Sequence, residues 1–193
     1  MDKSALLHFL VNSGKVNQVK AGEISEVFNE REYEKGELFL KEGKVSDSYF
    51  LLTEGFMRSF VTDIDGNDVT TAFYAPVQPV FEVASFFNRI SSKENIEALL
   101  PCKGWLINYE QLNHLFHSIP EFREFGRWVL VRGFTAFKLR TLSMITETAE
   151  QRYVSLLQSH PEVFQFAPLK QIASYLGITD TSLSRIRKEM LKK

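Results

Sequence analysis

Residues 168–193, PLKQIASYLGITDTSLSRIRKEMLKK, decide the reading of this chain. Ile172, Ala173 and Leu176 have the spacing of one apolar helix face, and Gly177 follows where a left-handed residue ends a helix at least cost. Ile178 is placed to plug the corner. Thr179 or Asp180 then caps a second helix whose buried face is Leu183, Ile186 and Met190, three and four residues apart. The small Ala173 lets the two helices approach. This is the layout of a helix-turn-helix, whose second helix can enter a DNA major groove. A plain helical hairpin closing a domain gives the same periodicity, so charge has to separate the two. Lys170, Arg185, Arg187, Lys188, Lys192 and Lys193 stand against Asp180 and Glu189, on a chain whose formal net charge is −1. A cationic end on an acidic body suits duplex binding. The outward side of the second helix offers Thr181, Ser182, Ser184, Arg185 and Lys188 to phosphates or bases.

Upstream of this segment, Thr146 or Thr148 is placed to cap AEQRYVSLLQSH, with Tyr153, Leu156 and Leu157 as its buried face. Pro161 is expected to end that helix and Pro168 to open the next. Before it, a long helix is expected over about 120–145, with Leu130, Phe134, Phe137 and Met144 on one stripe and Thr141 in the empty step. Trp128, Val131, Leu139 and Leu142 make it apolar on further sides, so it needs cover on several faces. One side can rest on the body of the chain and another on a second copy. Gly126 and Gly133 fit that arrangement, because glycine is best tolerated in a helix where another backbone packs close. A homodimer paired along this helix is the expectation.

Residues 4–30 read as helical and 31–110 as β-structure. Short apolar runs at Leu38–Leu40, Tyr49–Thr53, Phe56–Thr62 and Val69–Tyr74 are punctuated by Gly43 and Gly55. Asp63 to Asn67, DIDGN, is a hairpin signal because Asp-Gly and Gly-Asn accept positive φ. Ile96–Leu100 and Cys102–Asn108 supply two closing strands, and Tyr109–Phe116 a helix. Short strands separated by frequent turns predict an antiparallel roll.

Several function classes drop out. The 193 residues are 44% hydrophobic and 24% charged, as in soluble globular proteins, and no apolar run is long enough to span a bilayer. The first residues carry no secretion-type run, so a cytoplasmic protein without membrane contact is expected. One cysteine, Cys102, gives no disulfide framework and no iron–sulfur or zinc set; it reads as a small core residue. His114 and His117 stand three apart on the predicted helix, read as surface histidines, and lack a third ligand nearby. The 17 phenylalanines pack an aromatic roll or line an apolar effector pocket. No nucleophile elbow, P-loop or His-Glu-x-x-His motif is present, and an enzyme is not expected.

The order of roll, long helix, short helix and helix-turn-helix resembles the Crp/Fnr family of bacterial transcription regulators. The stretches that carry the resemblance are GELFLKEGKVSDSYFLLTEG (36–55), Asp65-Gly66, Phe81-Glu82, AEQRYVSLL (149–157) and IASYLGITDTSLSRI (172–186). It implies an α+β chain with an amino-terminal antiparallel β-roll of the cyclic-nucleotide-binding-like jelly-roll type. Residues 1–146 are then an effector domain including the dimerisation helix, and 147–193 a small all-α DNA-binding domain. It implies double-stranded DNA, a second copy and RNA polymerase as partners, with Arg185 matching the recognition-helix arginine that reads guanine. The chain departs from the pattern twice. The sequence ends at Lys193, before the β-hairpin wing that usually follows, so a shortened form leaning on Lys192 and Lys193 is expected. In cAMP-binding members a glycine–glutamate pair precedes a short helix, and an arginine follows about ten residues later to neutralise the phosphate. Here the first pair is Phe81-Glu82, the arginine position is Ser92, and Lys93 follows. Phe81 is expected to crowd a phosphate, and Lys93 or Arg89 can replace the arginine only as a point charge.

The sequence therefore predicts a homodimeric, sequence-specific DNA-binding regulator with no cofactor and an unidentified effector other than cAMP. Lys170, Thr179, Asp180, Thr181, Ser182, Arg185 and Lys188 are its DNA-binding candidates. Glu82, Arg89, Ser92 and Lys93 are its effector-binding candidates. The competing reading is a ligand-binding module that regulates a protein partner and uses its tail only to dimerise.

Overall fold

A computed structural model describes residues 2–191, so Lys192 and Lys193 lie outside the described residues. Helices α1 (Ser4–Asn12) and α2 (Gln18–Ser25) come first. Strands β1 (Asn29–Tyr33), β2 (Leu38–Leu40), β3 (Ser48–Glu54), β4 (Met57–Thr62), β5 (Asp68–Tyr74) and β6 (Gln78–Val80) follow. After the short helix α3 (Val83–Asn88) come β7 (Asn95–Ala98) and β8 (Cys102–Asn108). Helices α4 (Tyr109–Ser118), α5 (Pro120–Thr146), α6 (Ala149–Ser159), α7 (Pro161–Phe166), α8 (Leu169–Tyr175) and α9 (Asp180–Met190) complete the chain. The strands form two antiparallel four-stranded sheets, ordered β1-β8-β3-β6 and β2-β7-β4-β5. They face each other as a jelly roll.

Strand β3 shows why the sequence folds this way. Its side chains alternate between faces. Phe50 and Leu52 enter the roll interior with Tyr33, Leu40, Met57, Val80, Ile96 and Cys102. Tyr49 and Leu51 point outward, with Trp105 and Ile107 of β8, against α1, α2, α4 and α5. Both faces are covered, which is why the run reads as continuously apolar. Gly104 of β8 faces Phe50; a Cβ there would meet the Phe50 ring and the Leu51 carbonyl, so this position has to be bare. The DIDGN turn closes β4 onto β5 as expected, with the Asp63 N–H donating to the Asn67 carbonyl.

Helix α5 spans 27 residues and is buried only near its start, at Phe122, Phe125 and Gly126. Gly126 makes room for the Phe116 ring. The expectation for Gly133 does not hold within one chain, since nothing lies within 4 Å of its Cβ position. Beyond Gly126, Val131, Phe134, Phe137, Leu139 and Ile145 are all exposed, Phe134 and Phe137 at 69% and 65%.

The carboxy-terminal helices are not set apart from the roll. Phe56 and Leu99 of the roll share one apolar cluster with Tyr153, Leu156, Val163, Ile172, Ala173, Leu176, Leu183 and Ile186. Local corrections follow from packing. Thr148 caps α6 through a capping box with Gln151, but Leu157 is 37% exposed and is not part of the buried face. Pro161 opens the additional helix α7 as its first residue. The strand expected over 96–100 ends at Ala98, because the Leu99 and Leu100 N–H groups turn to the Phe56 carbonyl.

Candidate functional site

Helices α8 and α9 meet at a corner made by local chemistry. Gly177 takes φ +67°, the Ile178 N–H donates back to the Ala173 carbonyl at 3.0 Å, and the Gly177 N–H donates to Ser174. This double closure is the Schellman form of a helix end. Thr179 then adopts an extended backbone, and its Oγ1 accepts from the Ser182 N–H at 3.2 Å. Leu183 and Ile186 are buried against Ile172 and Ala173, and Ile178 and Met190 pack beside them. The turn of α9 therefore directs Thr181, Ser184, Arg185 and Lys188 outward, and all four are exposed. Asp180 is exposed at the first turn, and Lys170 is exposed at the start of α8. The Ser182 hydroxyl is drawn to the cap, 3.0 Å from Thr179 Oγ1, which also lies 2.9 Å from Thr181 Oγ1. Thr179, Asp180, Thr181, Ser182, Arg185 and Lys188 thus occupy one helix and its cap, with Lys170 on the neighbouring helix.

Residues that sequence reasoning missed fix the orientation of this pair. The Ser174 hydroxyl accepts from the Thr70 N–H of β5 at 3.1 Å. Tyr175 stands against Phe73 with ring centroids 5.1 Å apart, and Phe73 stacks on Phe56 at 5.7 Å. Arg140 of α5 donates to the Tyr175 carbonyl at 3.1 Å and lies 4.3 Å over its ring. Arg152 of α6 donates to the Leu176 carbonyl at 3.1 and 3.0 Å. Two arginines thus satisfy the carbonyls that the end of α8 leaves free. These pairings join positions far apart in sequence and leave no periodic signal.

Three of the four effector candidates of the roll are engaged by local partners. Glu82 caps α3, accepting from the Ala84 and Ser85 N–H groups at 3.0 and 2.6 Å. Arg89, in a left-handed conformation at the end of α3, donates to the Ser46 carbonyl, pairs with Asp47 and lies 4.1 Å over the Tyr109 ring. Ser92 is buried in a turn, donating to the Glu94 carbonyl at 2.8 Å, and Lys93 is exposed beside it. Phe81 does not crowd the roll interior. Its ring lies 5.1 Å from Tyr49 and 5.5 Å from Phe86, in the outer core beneath α4 and α5. The sequence also gave no notice of Glu94. Burial pushes its carboxyl pKa up, opposed by hydrogen bonds to Thr71 and Ser59 and by the charge of Arg140, while Glu82 raises it further. Nearby, burial pushes the Tyr74 phenol up to about 12. Glu82 and Arg140 thus both act on Glu94, and Glu82 also acts on Tyr74.

A jelly roll, a long helix and a helix pair of this geometry make up the fold of Crp/Fnr-type regulators. Residues 30–118 match the family described as the cyclic nucleotide-binding domain. The fold is similar to FixK2 from Bradyrhizobium japonicum, with TM-score 0.74 at 18% identity over 86% of this chain and 85% of that one. A CooA mutant from Carboxydothermus hydrogenoformans matches with TM-score 0.71 at 15% identity, over 100% of this chain and 86% of that one. A protein from Eubacterium rectale assigned as a transcriptional regulator of the crp/fnr family matches with TM-score 0.70 at 14% identity, over 93% and 86%. Among curated proteins, none matches this sequence. No described helix is long and apolar enough to cross a membrane.

Proposed function

We propose that this chain is a homodimeric, sequence-specific DNA-binding transcription regulator, responding to an effector other than cAMP. The observation that carries the reading is the outward face of α9. Thr181, Ser184, Arg185 and Lys188 stand exposed on a helix whose opposite face is locked onto α8 by Leu183 and Ile186. A rigid, cationic helix face of this kind offers hydrogen-bond donors to base edges and phosphates. Arg185 is the base-reading candidate, with Thr181 and Asp180 beside it. Lys188, Thr179, Ser182 and Lys170 serve the backbone. Residues 147–193 are the DNA-binding unit in this reading. The exposed stripe of α5 pairs two copies, so that two α9 helices reach successive major grooves. Ser92, standing where the resemblance expects an arginine, supports an effector other than cAMP.

Selection of bound duplexes from a random DNA library, at roughly physiological salt and with Arg185→Ala in parallel, tests this. The expected product is a two-fold symmetric site with half-sites about one helical turn apart, lost in the variant. Sequence-blind binding by both proteins would overturn it.

A further inference from the structure

We infer that the exposed face of α3 is a second contact surface between two copies of this chain, lying against the α5 helix of the partner copy. Helix α3 buries Ser85 and Phe86 and turns Val83 and Phe87 outward, 50% and 38% exposed and one helical turn apart. Its other outward positions are Ala84 and Asn88, so the helix itself carries no charge. Arg89, which follows it, is engaged by Asp47 and the Ser46 carbonyl. An aromatic anchor in surroundings depleted of charge is the composition of an interface core. The anchor is also held in place, since the Phe87 ring meets Phe86 edge-on at 5.3 Å and Phe81 at 6.1 Å. A ring fixed in this way loses little conformational freedom on docking.

The position of α3 selects the occupant. Phe87 and Leu130 line one narrow crevice with Val129, so the apolar face of α3 runs directly into the exposed stripe of α5. A partner laid along that stripe therefore meets α3 as well. Area argues the same way. A stable pair of proteins buries about 800 Å² on each partner. Leu130, Phe134, Phe137 and Met144 leave only on the order of 400 Å² of side chain exposed, taking about 200 Å² for a whole large one. The stripe by itself is too small, and α3 extends it at its Leu130 end. This surface rests on the proposed pairing of two copies along α5. It also gives that pairing a hold on the roll, because α3 is capped by Glu82 and closed by Arg89.

Mixing a methyl-labelled copy of the full chain with an unlabelled copy, without DNA, tests this by isotope-filtered NMR. The Val83 methyls of the labelled copy are expected to show contacts to phenyl protons of the other. Val83→Asp places a charge at the contact in both copies and should weaken dimerisation by about tenfold or more in sedimentation. Val19→Asp, at an exposed apolar position on α2, should leave it unchanged. An amide spectrum that changes only around α3 shows that Val83→Asp folds; if it misfolds, the labelled mixture decides alone. A wild-type dimer without contacts from Val83 to the other copy, or equal dimerisation by the two folded variants, would overturn the α3 surface and leave the pairing along α5 standing. A wild type that sediments as a monomer would remove both.

Discussion

Arg185 sits on the exposed face of a helix whose buried face does not need it, so its removal should leave the fold alone. An arginine bridging two acceptors of a guanine contributes about 1–3 kcal/mol of discrimination. Arg185→Ala should therefore lower affinity for the selected site by roughly 5- to 150-fold, with thermal stability and molecular mass unchanged. Equal binding of selected and scrambled duplexes by both proteins would remove Arg185 as a base reader. Glu94 makes the opposite kind of prediction. Its pKa is raised in the fold, chiefly by burial, so the folded chain favours the protonated form. The stability this group supports is full below its ordinary pKa of 4.5 and is lost as pH rises through the folded value. Glu94→Gln keeps the neutral form at every pH. It should melt higher than the wild type at neutral pH, and the gap should close in melts taken below pH 4.5. A variant that melts lower at neutral pH would show that the ionised carboxylate, held by Thr71, Ser59 and Arg140, is the form the fold needs.

Among the elements, α5 carries Val131, Phe134, Phe137, Leu139 and Ile145 exposed, and Phe134 and Phe137 lie three apart on it. Neither is covered by its own chain. On the dimeric reading, Phe134→Asp with Phe137→Asp places charge in the pair interface, where the desolvation cost is several kcal/mol. Sedimentation should then show a monomer with its far-ultraviolet spectrum unchanged; a dimer that survives would move the contact elsewhere. Much of this layer was legible in advance. The strand Cys102–Asn108 and the corner at Gly177 were readable because alternation, glycine placement and capping act within a few residues of one another. β1, NEREY, escaped because its side chains are mostly polar and exposed; it is defined by pairing with β8 across the sheet. β6, QPV, is short and contains Pro79, so its pairing with β3 was equally hidden. The same limit applies to the site. Thr179 and Arg185 follow from spacing along one helix, while Glu94, Arg140 and Tyr175 have a role only through contacts across many residues.

At the scale of the whole molecule, α5 touches both the outer core of the roll and the α8–α9 pair. It covers the outer core at Phe122 and Phe125, feels Glu94 through Arg140, and reaches the helix-turn-helix at two points. Arg140 holds the Tyr175 carbonyl, and the methyl of Met144 lies where a Cβ on Gly177 would stand. A change in the roll that shifts α5 therefore has a physical route to α9, provided that a ligand prefers one arrangement over the other. Arg140 is the narrowest point on that route. A hydrogen bond from a charged donor contributes about 1.5–3 kcal/mol, so Arg140→Ala should free the end of α8 from α5 while Ser174 and Tyr175 still hold it to β5. Amide exchange should rise by about tenfold or more in α8 and α9 and stay constant in β3 and β8, where the roll packs independently of this contact. On the DNA-binding reading, operator affinity should change as well, although Arg140 lies on α5 and not on the face proposed to meet DNA. Equal exchange in both proteins, with operator affinity unchanged, would show that the β5 contact positions α9 by itself and that α5 serves pairing alone.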